Sequence, residues 1–195
     1  MENTRIGTWS QEIFRSKAMD KAVGVMTFAV LTALGAYVYI PLPFTPVPIT
    51  LQTFFVLFSG LAMGPVLGAT SQLAYLLMGI IGMPFFSAGG AGFSHILGPT
   101  GGYLIGFVLA SWVTGKIIQG RRSTGLILFS LILGAVIYFS FGLLNLSFVL
   151  GCGIRKAMLL GFIPFIPGDI LKIIISVVIY KKSRARFDEI FADSK

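Results

Sequence analysis

The sequence has little charge and few of the residues that build metal sites or disulfides. Its 195 residues include one cysteine, one histidine and seven acidic residues, and only 11% are charged. A single cysteine, Cys152, excludes an internal disulfide and a cysteine-cluster metal site. A single histidine, His95, excludes a metal site built from several histidines. Soluble domains carry about a quarter charged residues, so the deficit indicates an integral membrane protein.

Long apolar runs take up most of the chain, of which 55% is hydrophobic. Because a membrane-spanning helix needs roughly 20 apolar residues, we predict an all-α, polytopic membrane protein with six transmembrane helices. The predicted spans are 21–40, 50–63, 66–82, 101–119, 126–146 and 169–180, and residues 147–168 are predicted as an interfacial helix plus a loop. The predicted domains are an N-terminal segment (1–20), a transmembrane domain (21–182) and a C-terminal tail (183–195).

Basic residues are distributed unevenly between the two sides of this topology. Twelve of the 15 lie on the side of the chain ends and three on the other side. Basic residues near span ends mark the cytoplasmic side. The pattern therefore predicts a multi-pass protein of the cell membrane whose N- and C-termini are both cytoplasmic. The charges flank apolar spans rather than forming a stripe, which favours membrane lipid over nucleic acid as a partner. A proline-rich loop (41–48), a glycine-rich segment and the start of the last span then share the outer side.

Asp169 and Lys172 are the first candidate site residues. They are three residues apart and therefore lie on one face of a helix. Ionisable residues in a span are costly and favour a functional role. The alternative is structural, since Asp169 after Pro-Gly suits a helix N-cap and Lys172 could extend to the interface.

Glycine is concentrated between the third and fourth spans, where nine of the 28 residues 79–106 are glycine. Irregular backbone at membrane depth is tolerated where protein or a water-filled cavity satisfies it, so this segment predicts the wall of a site. Gly89 and Gly90 would let the backbone approach a ligand. The spacing of Gly98, Gly102, Gly106 and Ala110 instead favours close helix packing.

Several further residues have two interpretations each. Gln52 could cap a helix or contact a ligand, and Asn145 is better explained by a helix–helix hydrogen bond. Phe44, Phe86 and Tyr103 could be boundary aromatics or could stack on a flat ligand. Ala29 and Ala33 form a small-residue strip that suits internal packing or, less readily, docking of another membrane protein.

Enzymatic and nucleotide-binding functions find little support. Asp169 has no second acid with which to form an intramembrane dyad, and Ser87 with His95 lacks a clear orienting acid. Gly115-Lys116 is followed by Ile117, so a phosphate-binding loop is absent. We therefore predict no catalysis, no metal, no cofactor and no nucleotide site in this chain.

Three motifs, PVPITLQTF, GPTGGYLIGF and GFIPFIPGDILK, together resemble BioY proteins. These are the biotin-specific substrate-binding (S) components of energy-coupling factor (ECF) transporters, and the resemblance spans residues 18–182. It implies a six-helix S component with an outer pocket that captures biotin for uptake. It also implies a transmembrane coupling subunit and two ATPase subunits as separate partners, with Ala29 and Ala33 docking the coupling subunit and loop 41–48 covering the pocket.

The resemblance also implies roles in the pocket. Asp169 and Lys172 are expected to contact biotin, with Asp169 accepting from the ureido N–H groups and Lys172 serving the ureido carbonyl or the carboxylate. The rest of the predicted biotin-binding set is Gln52, Phe44, Phe86, Gly89, Gly90, Tyr103 and Asn145. Ala91 stands where some members of the family carry a basic residue, so the group that meets the carboxylate stays open. A transporter that works alone or as an oligomer, and less readily a membrane enzyme using Asp169, are the alternatives.

Overall fold

The fold is almost entirely helical. The computed structural model describes residues 3–120 and 123–191, with side chains from residue 17 onward in those ranges. The helices are α1 (Asn3–Tyr37), α2 (Gln52–Ile80), α3 (Phe93–Ile96), α4 (Gly101–Ile118), α5 (Thr124–Val149), α6 (Ile154–Gly161) and α7 (Ile166–Phe191). Short 3-10 turns occur at Ser87–Gly89 and Ile163–Phe165, and β1 (Tyr39–Ile40) pairs antiparallel with β2 (Ile49–Thr50). The predicted all-α fold is confirmed.

Helix α2 contains the predicted second and third spans. At Gly64 the backbone leaves the helical region (φ 80, ψ −176), and Pro65 follows. Gln72 Nε2 donates to Ser59 Oγ at 3.1 Å, although 13 residues of straight helix would extend about 20 Å. The two halves of α2 therefore fold back on each other. Within the ranges that the structure describes, five helical stretches are long and apolar enough to cross a membrane. The break in α2 divides one of them, which gives six apolar segments in the predicted order of a multi-pass membrane protein.

Glycines allow α2, α4 and α5 to pack at close range. A Cβ on Gly60 would lie 2.2 Å from the Ser111 carbonyl oxygen, and one on Gly102 would lie 2.3 Å from that of Phe141. Gly106 packs against Tyr138 in the same way, and Ala110 is fully buried. The predicted small-residue ridge is thus an internal packing surface, as the spacing suggested.

The inner face of α1 packs on α2. Ala29 and Ala33 are 0% and 3% exposed, and between them Thr32 lies 3.3 Å from Gln72 Oε1. A docking surface must be accessible, and these two side chains are covered in this fold, so the predicted docking role of Ala29 and Ala33 stays a prediction. They stabilise the bundle from inside, which is the packing interpretation.

The segment 147–168 is more helical than predicted, and the flanking helices are longer. Helix α5 continues to Val149, α6 follows, and α7 begins at Ile166, where Pro167 is tolerated in the first turn. Asp169 therefore lies inside α7 and is not its N-cap. Helix α7 also continues beyond the predicted end of the last span, and Phe187 on it contacts the ring of Phe58 (5.8 Å between centroids).

Candidate functional site

A cavity lies among α2, α4, α5 and α7, beneath the proline-rich loop. We call it the inner chamber, and its empty volume, including its opening, is about 470 Å³. Its lining combines a few polar groups with an aromatic wall, as ligand pockets commonly do. The lining residues are Val47, Pro48, Thr50, Gln52, Thr53, Ser87, Thr100, Tyr103, Leu104, Phe107, Tyr138, Phe139, Phe165, Asp169 and Lys172.

Asp169 and Lys172 form an ion pair in this chamber. Lys172 Nζ lies 2.7 Å from Asp169 Oδ1, and the two side chains are 13% and 9% exposed, respectively. Thr53 links them, since its hydroxyl accepts from Lys172 at 2.8 Å and donates to Asp169 Oδ1 at 3.2 Å. The Tyr138 hydroxyl donates to Asp169 Oδ2. Helices α2, α5 and α7 thus converge on one carboxylate.

The ion pair keeps capacity for further hydrogen bonds. A carboxylate offers about four lone-pair sites and an ammonium three N–H donors. Among the described residues, three donors reach Asp169, which leaves one acceptor site, on Oδ2. In the described part of the chain, Lys172 donates to Asp169 and Thr53, which leaves one N–H. An incoming ligand can therefore add bonds to both residues without breaking the pair.

Gln52 and Tyr103 extend the polar part of the wall. Gln52 Nε2 donates to the Tyr75 hydroxyl at 2.5 Å, which fixes an amide that is 3% exposed. The Tyr103 hydroxyl donates to the Gly161 carbonyl at 2.8 Å, so its ring is fixed while its hydroxyl is engaged. Tyr103 therefore serves the chamber mainly as an aromatic wall, and Gln52 as an oriented amide.

The aromatic wall is built around Phe139. Its ring lies 4.7 Å from that of Tyr138 and 4.8 Å from that of Phe162, and Phe165 packs further out at 6.4 Å. Phe107 adds an edge contact to Tyr138 at 5.8 Å. These rings form the apolar part of the chamber lining, and Tyr138 connects them to the ion pair.

A second cavity, the outer chamber, lies between the proline-rich loop and the glycine-rich segment. It is lined by Tyr39, Pro41, Leu42, Thr45, Pro46, Pro48, Ser87, Ala88, His95, Pro99 and Thr100. Pro48, Ser87 and Thr100 line both chambers, so the two are adjacent. The β1–β2 pairing joins the ends of loop 41–48, and the loop covers the inner chamber with Val47 and Pro48.

The structure brings four of the predicted binding residues to the inner chamber: Asp169, Lys172, Gln52 and Tyr103. The other five lie outside its lining. Phe44 is 57% exposed on the proline-rich loop, and Phe86 is fully buried behind the wall. Gly89 and Gly90 lie at and after the 3-10 turn. Asn145 Nδ2 donates to the Gly98 carbonyl at 2.9 Å, the structural role that the sequence favoured.

Sequence reasoning missed Thr53 and Tyr138. Tyr138 had a usable signal, because a tyrosine in the middle of an apolar span needs a partner for its hydroxyl. For Thr53 the signal was weaker: it is a polar residue that directly follows Gln52, a predicted binding residue. Among the described residues, no three His, Cys, Asp or Glu side chains come together as a metal site requires.

Comparisons with known proteins agree with one another. The model of the BioY family matches residues 8–189. A probable biotin transporter BioY of Pyrococcus horikoshii is 39% identical over 81% of this chain and 92% of its own length. The biotin transporter BioY of Thermotoga maritima is 38% identical over 83% and 94%.

A solved structure shares the fold. The crystal structure of the S-component for biotin from an ECF-type ABC transporter superposes with a TM-score of 0.82 and 27% sequence identity. The match covers 89% of this chain and 96% of that one. On these matches, the chain belongs to the BioY family.

Proposed function

We propose that this chain captures biotin in the inner chamber and serves as the S component of an ECF-type transporter. One observation carries the proposal: the buried Asp169–Lys172 pair, which can accept and donate further hydrogen bonds, shares a cavity with an aromatic wall in a chain whose relatives are biotin transporters. The chain is a transport protein rather than an enzyme, as its relatives are.

The polar atoms of the chamber suit the ureido ring of biotin. That ring offers two N–H donors and one carbonyl. Asp169 Oδ2 accepts from a ureido N–H, and the remaining N–H of Lys172 donates to the ureido carbonyl. Gln52 can satisfy the second N–H through Oε1, which otherwise meets only the Thr50 hydroxyl among its described partners, at a weak 3.3 Å. A buried polar ligand atom left unpaired would cost affinity, so these three side chains decide recognition.

The apolar part of biotin suits the aromatic wall. Phe107, Phe139 and Phe165 line the chamber and offer apolar surface to a thiophane ring and a methylene arm. Burying apolar ligand surface contributes about 25 cal/mol per Å². The proline-rich loop then covers the bound ligand, so loop 41–48 acts as a lid.

Transport needs energy from separate subunits. We assign ATP hydrolysis to two ATPase subunits and its transmission to a transmembrane coupling subunit. The predominance of basic residues on one side supports cytoplasmic termini in the cell membrane, with segment 1–20 and tail 183–195 inside and domain 21–182 spanning the bilayer. The chambers then open outward.

The exposed face of α1 suits the coupling subunit. Val23, Met26, Val30 and Leu34 are all more than 40% exposed. Ala22, Thr27 and Leu31 complete a shallow groove with Val23, Met26 and Val30. We therefore propose this exposed face, rather than the buried Ala29–Ala33 strip, as the docking surface.

Uptake of labelled biotin by cells that lack their own biotin transporter tests this function. We expect uptake when the chain is expressed with its coupling subunits and none when it is expressed alone. Uptake by the chain alone would establish a stand-alone or oligomeric transporter instead.

Val30→Trp tests the docking face. We expect it to leave biotin binding intact and to abolish uptake, whereas Val136→Trp, at a similarly exposed position on α5, should leave both intact. Normal uptake by Val30→Trp would place the docking surface elsewhere.

A further inference from the structure

Two basic residues outside the chambers have no part in the proposed function. Arg155 and Lys156 lie in the first turn of α6, and both are exposed. No residue of α6 lines either chamber. Within the ranges that the structure describes, neither side chain forms an ion pair. The acid nearest to them along the chain is Asp169, which Lys172 already neutralises. The pair therefore carries two uncompensated positive charges.

Helix α6 presents apolar side chains beside these charges. It rests on the bundle through Ala157 and Gly161, which are buried and four residues apart, and therefore on one face. A Cβ on Gly161 would lie 2.3 Å from the Tyr103 hydroxyl, so the helix packs closely there. Met158 and Leu159 are exposed. The surface of α6 thus combines two positive charges with two long apolar side chains.

The end of α5 extends this apolar surface. Phe148 is 86% exposed, more than any other large hydrophobic side chain in the described part of the chain. Leu150 and Ile154 are also exposed, and a turn at Gly151 (φ 57) leads from α5 into α6. We call the surface formed by residues 148–159 the α5–α6 corner. It lies at the end of one long apolar helix and shortly before the next, which is where the headgroups of a bilayer meet its acyl chains.

This combination fits an anionic lipid better than a dissolved anion. Guanidinium and ammonium groups both bind phosphate, and basic residues beside a membrane-spanning helix attract anionic lipids. A dissolved anion would leave the apolar side chains of the corner in contact with water. A zwitterionic lipid would bring its own ammonium close to the two basic residues. A phospholipid with net negative charge matches both the charges and the apolar surface.

We propose that the α5–α6 corner is a binding site for an anionic phospholipid. The headgroup phosphate meets Arg155 and Lys156, and an acyl chain lies against Phe148 and the apolar residues of α6. The lipid thereby holds α6 at the membrane surface, next to the segment that leads into α7. The site requires that the chain spans a bilayer, and it does not depend on which ligand occupies the inner chamber.

Quenching of a single tryptophan by brominated lipid tests the site. Phe148→Trp, in a chain whose Trp9 and Trp112 are replaced by phenylalanine, places the reporter in the corner. The protein is reconstituted in vesicles with equal amounts of phosphatidylglycerol, which is anionic, and phosphatidylcholine, which is zwitterionic. Bromine is carried by the acyl chains of one lipid or of the other. Because bromine quenches tryptophan at contact range, the ratio of the two quenching efficiencies gives the relative association of the two lipids.

We expect phosphatidylglycerol to associate with the Phe148→Trp reporter about fivefold more strongly than phosphatidylcholine, or more. Replacing Arg155 and Lys156 together with glutamine should bring this ratio to about one. Replacing Lys181 and Lys182 with glutamine changes the charge equally at exposed positions of α7 and should leave the ratio unchanged.

A second reporter controls for the general enrichment of anionic lipid around a basic protein. Ile81→Trp, in the same tryptophan-free chain, lies at a 74% exposed position after the end of α2. Residues 22–115 contain no lysine or arginine. This reporter should therefore give a ratio of about one.

Three results would overturn the site. The first is a ratio of about one at the Phe148→Trp reporter, and the second is an equal preference for phosphatidylglycerol at both reporters. The third is a preference that persists in the Arg155 and Lys156 double variant while association of biotin becomes slower. In that case the two charges would attract the anionic ligand and not a lipid.

Discussion

At the scale of single residues, the centre of the molecule is the carboxylate of Asp169. It is held by Lys172 on its own helix, by Thr53 on α2 and by Tyr138 on α5. Removing a charged partner from such a network leaves the remaining charge buried and unpaired, which costs more than the bond itself. Asp169 therefore contributes both to the proposed ligand binding and to the stability of the helix bundle.

Asp169→Asn should weaken biotin binding by about tenfold to a hundredfold, because it replaces a charged acceptor and leaves Lys172 without its counter-ion. Titration of the purified variant measures this. Asp188→Asn is the control, since Asp188 is largely exposed and its pairing with Arg184 at 3.4 Å contributes little. Unchanged affinity in Asp169→Asn would remove Asp169 from the binding site.

The residue scale also shows how far sequence reasoning reached. Asp169 and Lys172 could be predicted for two reasons. A charged pair is conspicuous in an apolar sequence, and the two residues are one helical turn apart, so their contact depends only on local structure. Thr53 and Tyr138 reach Asp169 across 116 and 31 residues, respectively. The spacing of Ala29 and Ala33 indicates a strip of small residues, but it does not show which side of the helix faces the bundle, so their burial could not be predicted.

At the scale of elements, the break in α2 organises the fold. Gly64 has φ 80, a conformation that glycine adopts readily. Pro65 lacks the backbone N–H that would continue the hydrogen bonds of the first half of the helix. The sequence therefore predicted both halves and the break between them. Helix ends were predicted less well, because the charged segments at both ends of the chain continue as helix beyond the apolar runs.

Gly60→Ala should destabilise the bundle by about 1–3 kcal/mol, since its Cβ would lie 2.2 Å from the Ser111 carbonyl oxygen and backbone would have to move. Thermal unfolding in detergent measures the loss as a lower midpoint. Gly125→Ala is the control, because its Cβ would meet only the Ser123 hydroxyl at 3.7 Å, near the start of α5. Equal midpoints would contradict the close α2–α4 contact.

The lid predicts a kinetic effect. Replacing residues 42–46 with glycine and serine of the same length should speed biotin release more than it slows association, because a flexible chain covers the chamber for less of the time. Rapid mixing of preloaded protein with excess unlabelled biotin measures release. The reverse effect, slower association with unchanged release, would show that the loop guides entry and does not retain the ligand.

At the scale of the whole molecule, orientation is the property that transport depends on. Cys152 is the one cysteine of the sequence, and it is partly exposed between α5 and α6. In intact cells, a membrane-impermeant thiol reagent should label Cys152 from outside. It should not label Ala185→Cys in a Cys152→Ser background, because that exposed position of α7 lies near the inner end. The opposite labelling pattern would invert the topology.

The most direct test of the central claim is titration of the purified, detergent-solubilised chain with biotin, with thiamine and riboflavin as controls. We predict tight, one-to-one binding of biotin without any partner subunit and no binding of the two controls. Failure of the well-folded chain to bind biotin, or equal binding of all three vitamins, would contradict the account.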